Sequence, residues 1–195
     1  LVLEGDSGLG KTQILRELPD IIDAEEKDIE FHYMRDCSLN SIVLSLDVAM
    51  PNYPNEKKKN LFAEYVEESD SKHVFAFLHS SKDAGIGGLK ELKDVVEEKD
   101  IQDDVLFIQE SLGGDRVEKE LDRLSDSEYR KLTLSKYSTN EIFDVLKNRQ
   151  KQAVKKDYRI EDKDLEKLAS YVHRFEGGQL FTAIHLLRRV YKPVD

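Results

Sequence analysis

Apolar positions along this chain change their period at a few places, and those places outline its architecture. Leu1-Val2-Leu3 is a short strand-like run. Gln13-Ile14-Leu15-Arg16-Glu17-Leu18 has helical spacing, and Pro19, which lacks an amide hydrogen, is expected to stop that helix. Ile29-Glu30-Phe31-His32-Tyr33-Met34 alternates as a strand does. Ser38 offers a hydroxyl cap to a helix over residues 39–46. After a loop at Pro51-Asn52-Tyr53-Pro54-Asn55, residues 56–68 read as a charged amphipathic helix with Leu61, Phe62, Tyr65 and Val66 inward. His73-Val74-Phe75-Ala76-Phe77-Leu78 is a continuous apolar run, as in a parallel strand covered on both faces. Gly85, Gly87 and Gly88 mark a loop before a helix around Leu89, Leu92, Val95 and Val96. Val105-Leu106-Phe107-Ile108 is another buried strand, residues 115–124 are predicted helical, and Arg130-Lys131-Leu132-Thr133-Leu134 is the last strand. Five strands alternating with helices predict an α/β fold, a parallel sheet with helices on both faces.

From Ser135 the strand period is gone. Three helices follow at about 138–155, 161–175 and 179–191. Ser138 or Thr139 caps the first, with Glu141 completing a capping box. Ile142, Phe143, Val145, Leu146 and Val154 form its apolar stripe. Leu165, Leu168, Val172 and Phe175 form the second stripe, and Leu180, Ile184, Leu187 and Val190 the third. The expected division is an α/β core over residues 1–135 and a small all-helical lid over 136–195.

The start of the chain carries the chemistry. Gly5-Asp6-Ser7-Gly8-Leu9-Gly10-Lys11-Thr12 is G-x-x-x-x-G-K-T between a strand-like run and a helix, which is the P-loop in its strand–loop–helix setting. The glycines let the backbone turn tightly and bring N–H groups to phosphate oxygens, and the helix adds its positive end. Lys11 reaches the β- and γ-phosphates, and the Thr12 hydroxyl is the usual Mg²⁺ ligand. The motif implies a nucleoside triphosphate, or descent from a chain that bound one; the plain alternative is a glycine-rich turn capping a helix. In a parallel sheet the ligand belongs at the carboxyl ends of the strands, where this loop lies.

Composition narrows the partners. A net charge of −10 argues against a broad nucleic-acid surface, because phosphate contacts need clustered Lys and Arg. Lys57-Lys58-Lys59, Lys155-Lys156 and Arg188-Arg189 lie among acidic neighbours or on helices and read as solvated faces. The single Cys37 excludes an internal disulfide framework and suits a reducing compartment. No signal peptide or membrane-length apolar run is present in the sequence. A start inside a strand, without Met, reads as an excised fragment.

Two stretches then carry a resemblance. Ser135-Lys136-Tyr137-Ser138-Thr139-Asn140-Glu141-Ile142-Phe143-Asp144-Val145-Leu146-Lys147-Asn148-Arg149 resembles the lid opening P-Y-(S/T)-x-x-E-(I/L)-x-x-I-L-x-x-R of AAA+ replication initiators, the origin-recognition and cell-division-control branch. Glu176-Gly177-Gly178-Gln179-Leu180-Phe181-Thr182-Ala183-Ile184-His185-Leu186-Leu187-Arg188-Arg189 is similar to their G-D-A-R-x-A-(I/L)-x-L-L-x-x-A. The resemblance implies an AAA+ P-loop domain that binds ATP or ADP with Mg²⁺. Its implied partners are other AAA+ subunits or chromatin and replication subunits, with DNA met through a larger assembly. The implied location is intracellular, nuclear in a eukaryote and cytoplasmic in an archaeon, with no membrane contact.

Departures from the family pattern matter as much. The second nucleotide motif of the family ends a strand with Asp-Glu, one acid for Mg²⁺ and one for the attacking water. Here His79-Ser80 stands there, 68 residues after Lys11. Asp83, or Gln109-Glu110 at the end of the next strand, are other placements for a carboxylate, and either would break the strand order. The polar sensor position falls at Glu110 or Ser111, and the lid arginine at Phe181 or Leu180. Arg123 lies near the family's arginine finger, with an ordinary surface arginine as the alternative. The expectation is a degenerate member, comparable to the silencing-type paralogues, that binds nucleotide and hydrolyses it slowly or not at all. The rivals are a competent clamp-loader-like ATPase using Asp83 or Glu110, and an interaction module with a vestigial P-loop.

Overall fold

The computed structural model describes residues 1–24, 27–78, 87–111 and 130–191. The expectations placed on His79, Ser80, Asp83, Gly85, the 115–124 helix and Arg123 lie outside the described residues. The chain divides into two compact units, Leu1–Glu4 with Lys11–Thr133, and Gly5–Gly10 with Leu134–Asp195.

The first unit is an α/β layer. Its strands are β1 (Val2–Glu4), β2 (Ile29–Met34), β3 (Lys72–Phe77), β4 (Val105–Ser111) and β5 (Lys131–Thr133). They form one parallel sheet in the order β2-β3-β4-β1-β5. Its helices are α1 (Lys11–Ile21), α2 (Leu39–Ser45), α3 (Asn55–Glu67) and α4 (Gly87–Glu98). Met34, Phe75 and Phe77 meet Ile42, Phe62, Val66, Leu92 and Val95 in one core cluster, so α2, α3 and α4 cover one sheet face. Phe62, Phe75 and Phe77 are at most 1% exposed, and burial of each contributes about 1.5–3 kcal/mol. Tyr33 alternates with Met34 and points the other way, where its hydroxyl donates to the Leu15 carbonyl of α1 at 3.1 Å. Helices therefore lie on both faces.

That hydrogen bond corrects one expectation. Pro19 lies inside α1 and does not end it. A proline in a helix leaves the carbonyl four residues back without its amide. Here that carbonyl belongs to Leu15, and Tyr33 supplies the missing donor.

Other corrections are local. Gly87 and Gly88 open α4 where a loop was expected; a Cβ on Gly88 would fall 1.5 Å from the Cys37 carbonyl oxygen, so only glycine lets the backbones approach this closely. The strand expected over 105–108 continues to Ser111. Lys58 is buried rather than solvated, donating to Asn40 Oδ1 at 2.8 Å and the Pro51 carbonyl at 2.9 Å. Lys57 lies over the Tyr53 ring and Lys59 pairs with Glu98, so this basic cluster is engaged within the chain.

The second unit contains α5 (Thr139–Ala153), a 3₁₀ turn (Lys156–Tyr158), α6 (Asp162–Phe175) and α7 (Leu180–Val190). Ser138 is the cap, and it and Glu141 make the reciprocal bonds of a capping box. Ile142, Leu146, Leu165, Val172 and Leu187 form the core together with Ala169 and Ala183, both fully buried. Phe175 and Val190 were expected inward but are 66% and 56% exposed. Each is the last residue of its helix. Among the described residues, no helix is long and apolar enough to cross a membrane.

Candidate nucleotide-binding site

Gly5–Gly10 follows directly on Glu4, the last residue of β1, and Lys11 is the first residue of α1. Gly8 and Gly10 have φ of +82° and +85°, the left-handed region that side chains other than glycine adopt at a cost. A Cβ on Gly8 would also come within 3.3 Å of Gln179, whereas one on Gly10 would meet only the Tyr137 hydroxyl, at 3.6 Å. Two loop carbonyls are tied within the helical unit. Leu9 O accepts from Tyr137 Oη at 3.2 Å, and Gly8 O accepts from the Phe181 amide at 3.4 Å. Leu9 itself is buried, so the loop is anchored by its middle.

The residues fit the group that the motif implies. The two left-handed glycines shape the loop with no side chain at either point, which is the cradle a phosphate needs. Lys11 is buried at the start of α1 and Thr12 half-buried beside it, while Asp6 and Ser7 are exposed.

At the carboxyl end of β1, Glu4 is buried and already engaged: Lys131 Nζ lies 2.7 Å from its carboxylate and Thr133 Oγ1 donates at 3.3 Å. Glu110 and Ser111 are buried at the end of β4. The register sets Glu110 opposite Leu3 and Ser111 opposite Glu4, so both stand on the strand next to β1. The strand leading to residue 79 is β3, between β2 and β4.

Within the helical unit, two further positions bear on the resemblance. Of the two positions that the resemblance pairs with the lid arginine, Leu180 packs into the helical core and Phe181 is 70% exposed. The Phe181 ring stacks on His185, centroids 6.3 Å apart, and its amide is the one that reaches Gly8.

No protein-family model and no curated protein matches the sequence. Solved structures do. Cdc6p from Pyrobaculum aerophilum is 20% identical with a TM-score of 0.76, over 97% of this chain and 54% of that one. The Aeropyrum pernix ORC2 protein in its ADP form is 15% identical with a TM-score of 0.74, over 96% of this chain and 55% of that one. The fold is that of the AAA+ replication initiators. Drosophila ORC, solved bound to DNA, shares this initiator fold at 14% identity and a TM-score of 0.65, over 97% of this chain and 54% of that one. The chain spans about half the length of each of these initiator-fold chains.

Proposed function

We propose that this chain is the nucleotide-binding domain of an origin-recognition-like or chromatin-associated AAA+ protein, holding ATP or ADP with Mg²⁺ and hydrolysing it slowly or not at all. The observation that carries this reading is the loop: Gly8 and Gly10 left-handed, two carbonyls tied back, Lys11 next in the chain. Gly5–Gly10 and Lys11 would hold the phosphates and Thr12 the metal, which when bound offsets phosphate charge.

Slow turnover follows from residue chemistry. His79-Ser80 stands where the resemblance expects two acids, and losing a general base alone removes about 10²–10⁴-fold in rate. Phe181 brings an exposed ring where a cation is expected. A competent, clamp-loader-like ATPase is the second reading, favoured by one observation: Glu110 is a buried carboxylate beside β1. With a net charge of −10, contact with DNA would come through a larger assembly of AAA+, replication or chromatin subunits.

The experiment is melting with and without millimolar Mg-ATP or Mg-ADP, followed by turnover. Nucleotide raises the melting temperature of wild type and not of Lys11→Ala. Unchanged melting would leave an interaction module with a vestigial loop. Turnover is near background, and His79→Asp with Ser80→Glu raises it. Robust wild-type turnover lost in Glu110→Ala or Asp83→Ala would establish the motor.

A further inference from the structure

Away from the phosphate loop, three metal-ligating side chains converge on the edge of the sheet. Glu30 and His32 are two residues apart on β2 and share one face. His73 on β3 is directly opposite Glu30 in the register and diagonal to His32. His32 Nε2 lies 3.1 Å from His73 Nδ1. Glu30 Oε2 lies 3.8 Å from the first nitrogen and 3.7 Å from the second.

A triangle with these edges has a point about 2.1 Å from all three corners, and Zn²⁺ binds imidazole nitrogen and carboxylate oxygen at about 2.0–2.2 Å. Hydrogen bonding accounts for less of the arrangement. One proton serves the pair of imidazoles, and the carboxylate is too far from either nitrogen to accept from it. Burial pushes both imidazoles below the usual histidine range; the neighbouring imidazole adds to this at His32, and Glu30 opposes it at both.

The surroundings suit a bound ion. Phe75 stacks on His32 with centroids 4.7 Å apart, and the Tyr65 ring of α3 lies 5.3 Å from that of His73. The side chain of His73 is fully buried, that of His32 is 15% exposed and that of Glu30 47%. Solvent reaches the cluster from the Glu30 side, where water can complete a tetrahedron. Two imidazoles and one carboxylate favour a borderline transition metal over Mg²⁺ or Ca²⁺.

We infer that Glu30, His32 and His73 form a Zn²⁺ site that fastens the edge strand β2 to β3. The site is separate from the Mg²⁺ expected at Thr12 and works without nucleotide. The test uses the whole chain, stripped with chelator and free of nucleotide. Zn²⁺ binds with one-to-one stoichiometry and raises the melting temperature in proportion to the logarithm of its free concentration. Co²⁺ in its place gives the visible absorption of a tetrahedral nitrogen–oxygen site. Glu30→Gln and His32→Gln, both at partly exposed positions, each weaken Zn²⁺ binding at least tenfold, since even groups behind the ligands are worth about 10–100-fold. No binding at micromolar Zn²⁺ overturns the proposal. So does binding of undiminished affinity in both variants, which would move the ion to other histidines.

Discussion

The Phe181 amide donates to the Gly8 carbonyl at 3.4 Å, so the first turn of α7 ends on the phosphate loop. Residue 181 is also one of the two positions, with Leu180, at which the initiator resemblance expects a cation. Of the two, Leu180 packs into the helical core and Phe181 is exposed.

Phe181→Arg is therefore the informative substitution. The side chain is exposed, so the fold tolerates the change. A charge-assisted hydrogen bond contributes about 1.5–3 kcal/mol, which corresponds to roughly tenfold or more in affinity. Phe181→Arg is expected to raise the preference for ATP over ADP by about that factor, read by titration calorimetry. An unchanged ratio would show that residue 181 does not face the γ-phosphate.

The loop glycines are expected to differ in kind. Gly10→Ala meets no crowding, so its cost is the left-handed backbone, about 1–2 kcal/mol. Gly8→Ala carries the same strain plus a contact with Gln179 at 3.3 Å. Denaturant unfolding should rank Gly8→Ala as the less stable, and Gln179→Gly should recover part of the difference.

Tyr33→Phe removes the donor that serves the Leu15 carbonyl, at a cost of about 0.5–1.5 kcal/mol. In a Pro19→Ala background residue 19 regains its own amide, and the loss of the hydroxyl should cost much less. A double-mutant cycle measures this coupling, and additivity would refute the account of how α1 tolerates its proline.

The capping box gives a pH dependence. Glu141 accepts from the Ser138 backbone amide and then from its hydroxyl, and these bonds hold its carboxyl below the usual glutamate range. A lowered folded value means that the stabilisation is complete above the ordinary value of about 4.5 and is lost as pH falls through the folded one. The stability gap between wild type and Glu141→Gln should be constant near neutrality and close below pH 4.5. Ser138→Ala should cost about 1 kcal/mol. A gap that persists in acid would show that charge has no part in the cap.

Much of this was legible in the chain. Ile29–Met34 is the strand its alternation predicts, end for end, and the loop announces itself by motif. The failures have different causes. Pro19 is tolerated because of Tyr33, 14 positions further on, and no window around the proline contains it. Phe175 and Val190 count as apolar in any periodic pattern, yet each is the last residue of its helix and stays exposed. The shared face of Glu30 and His32 can be read from alternation, but the arrival of His73 needs the register between β2 and β3.

The fit of α4 against Cys37 also sets a clock. Cys37 is the chain's only cysteine and is 5% exposed, with its carbonyl under Gly88. A thiol reagent must wait for the start of α4 to lift away, so the rate of modification counts those openings. Every molecule thus carries one built-in reporter of how often this corner of the sheet unlatches, with no label added and no residue changed.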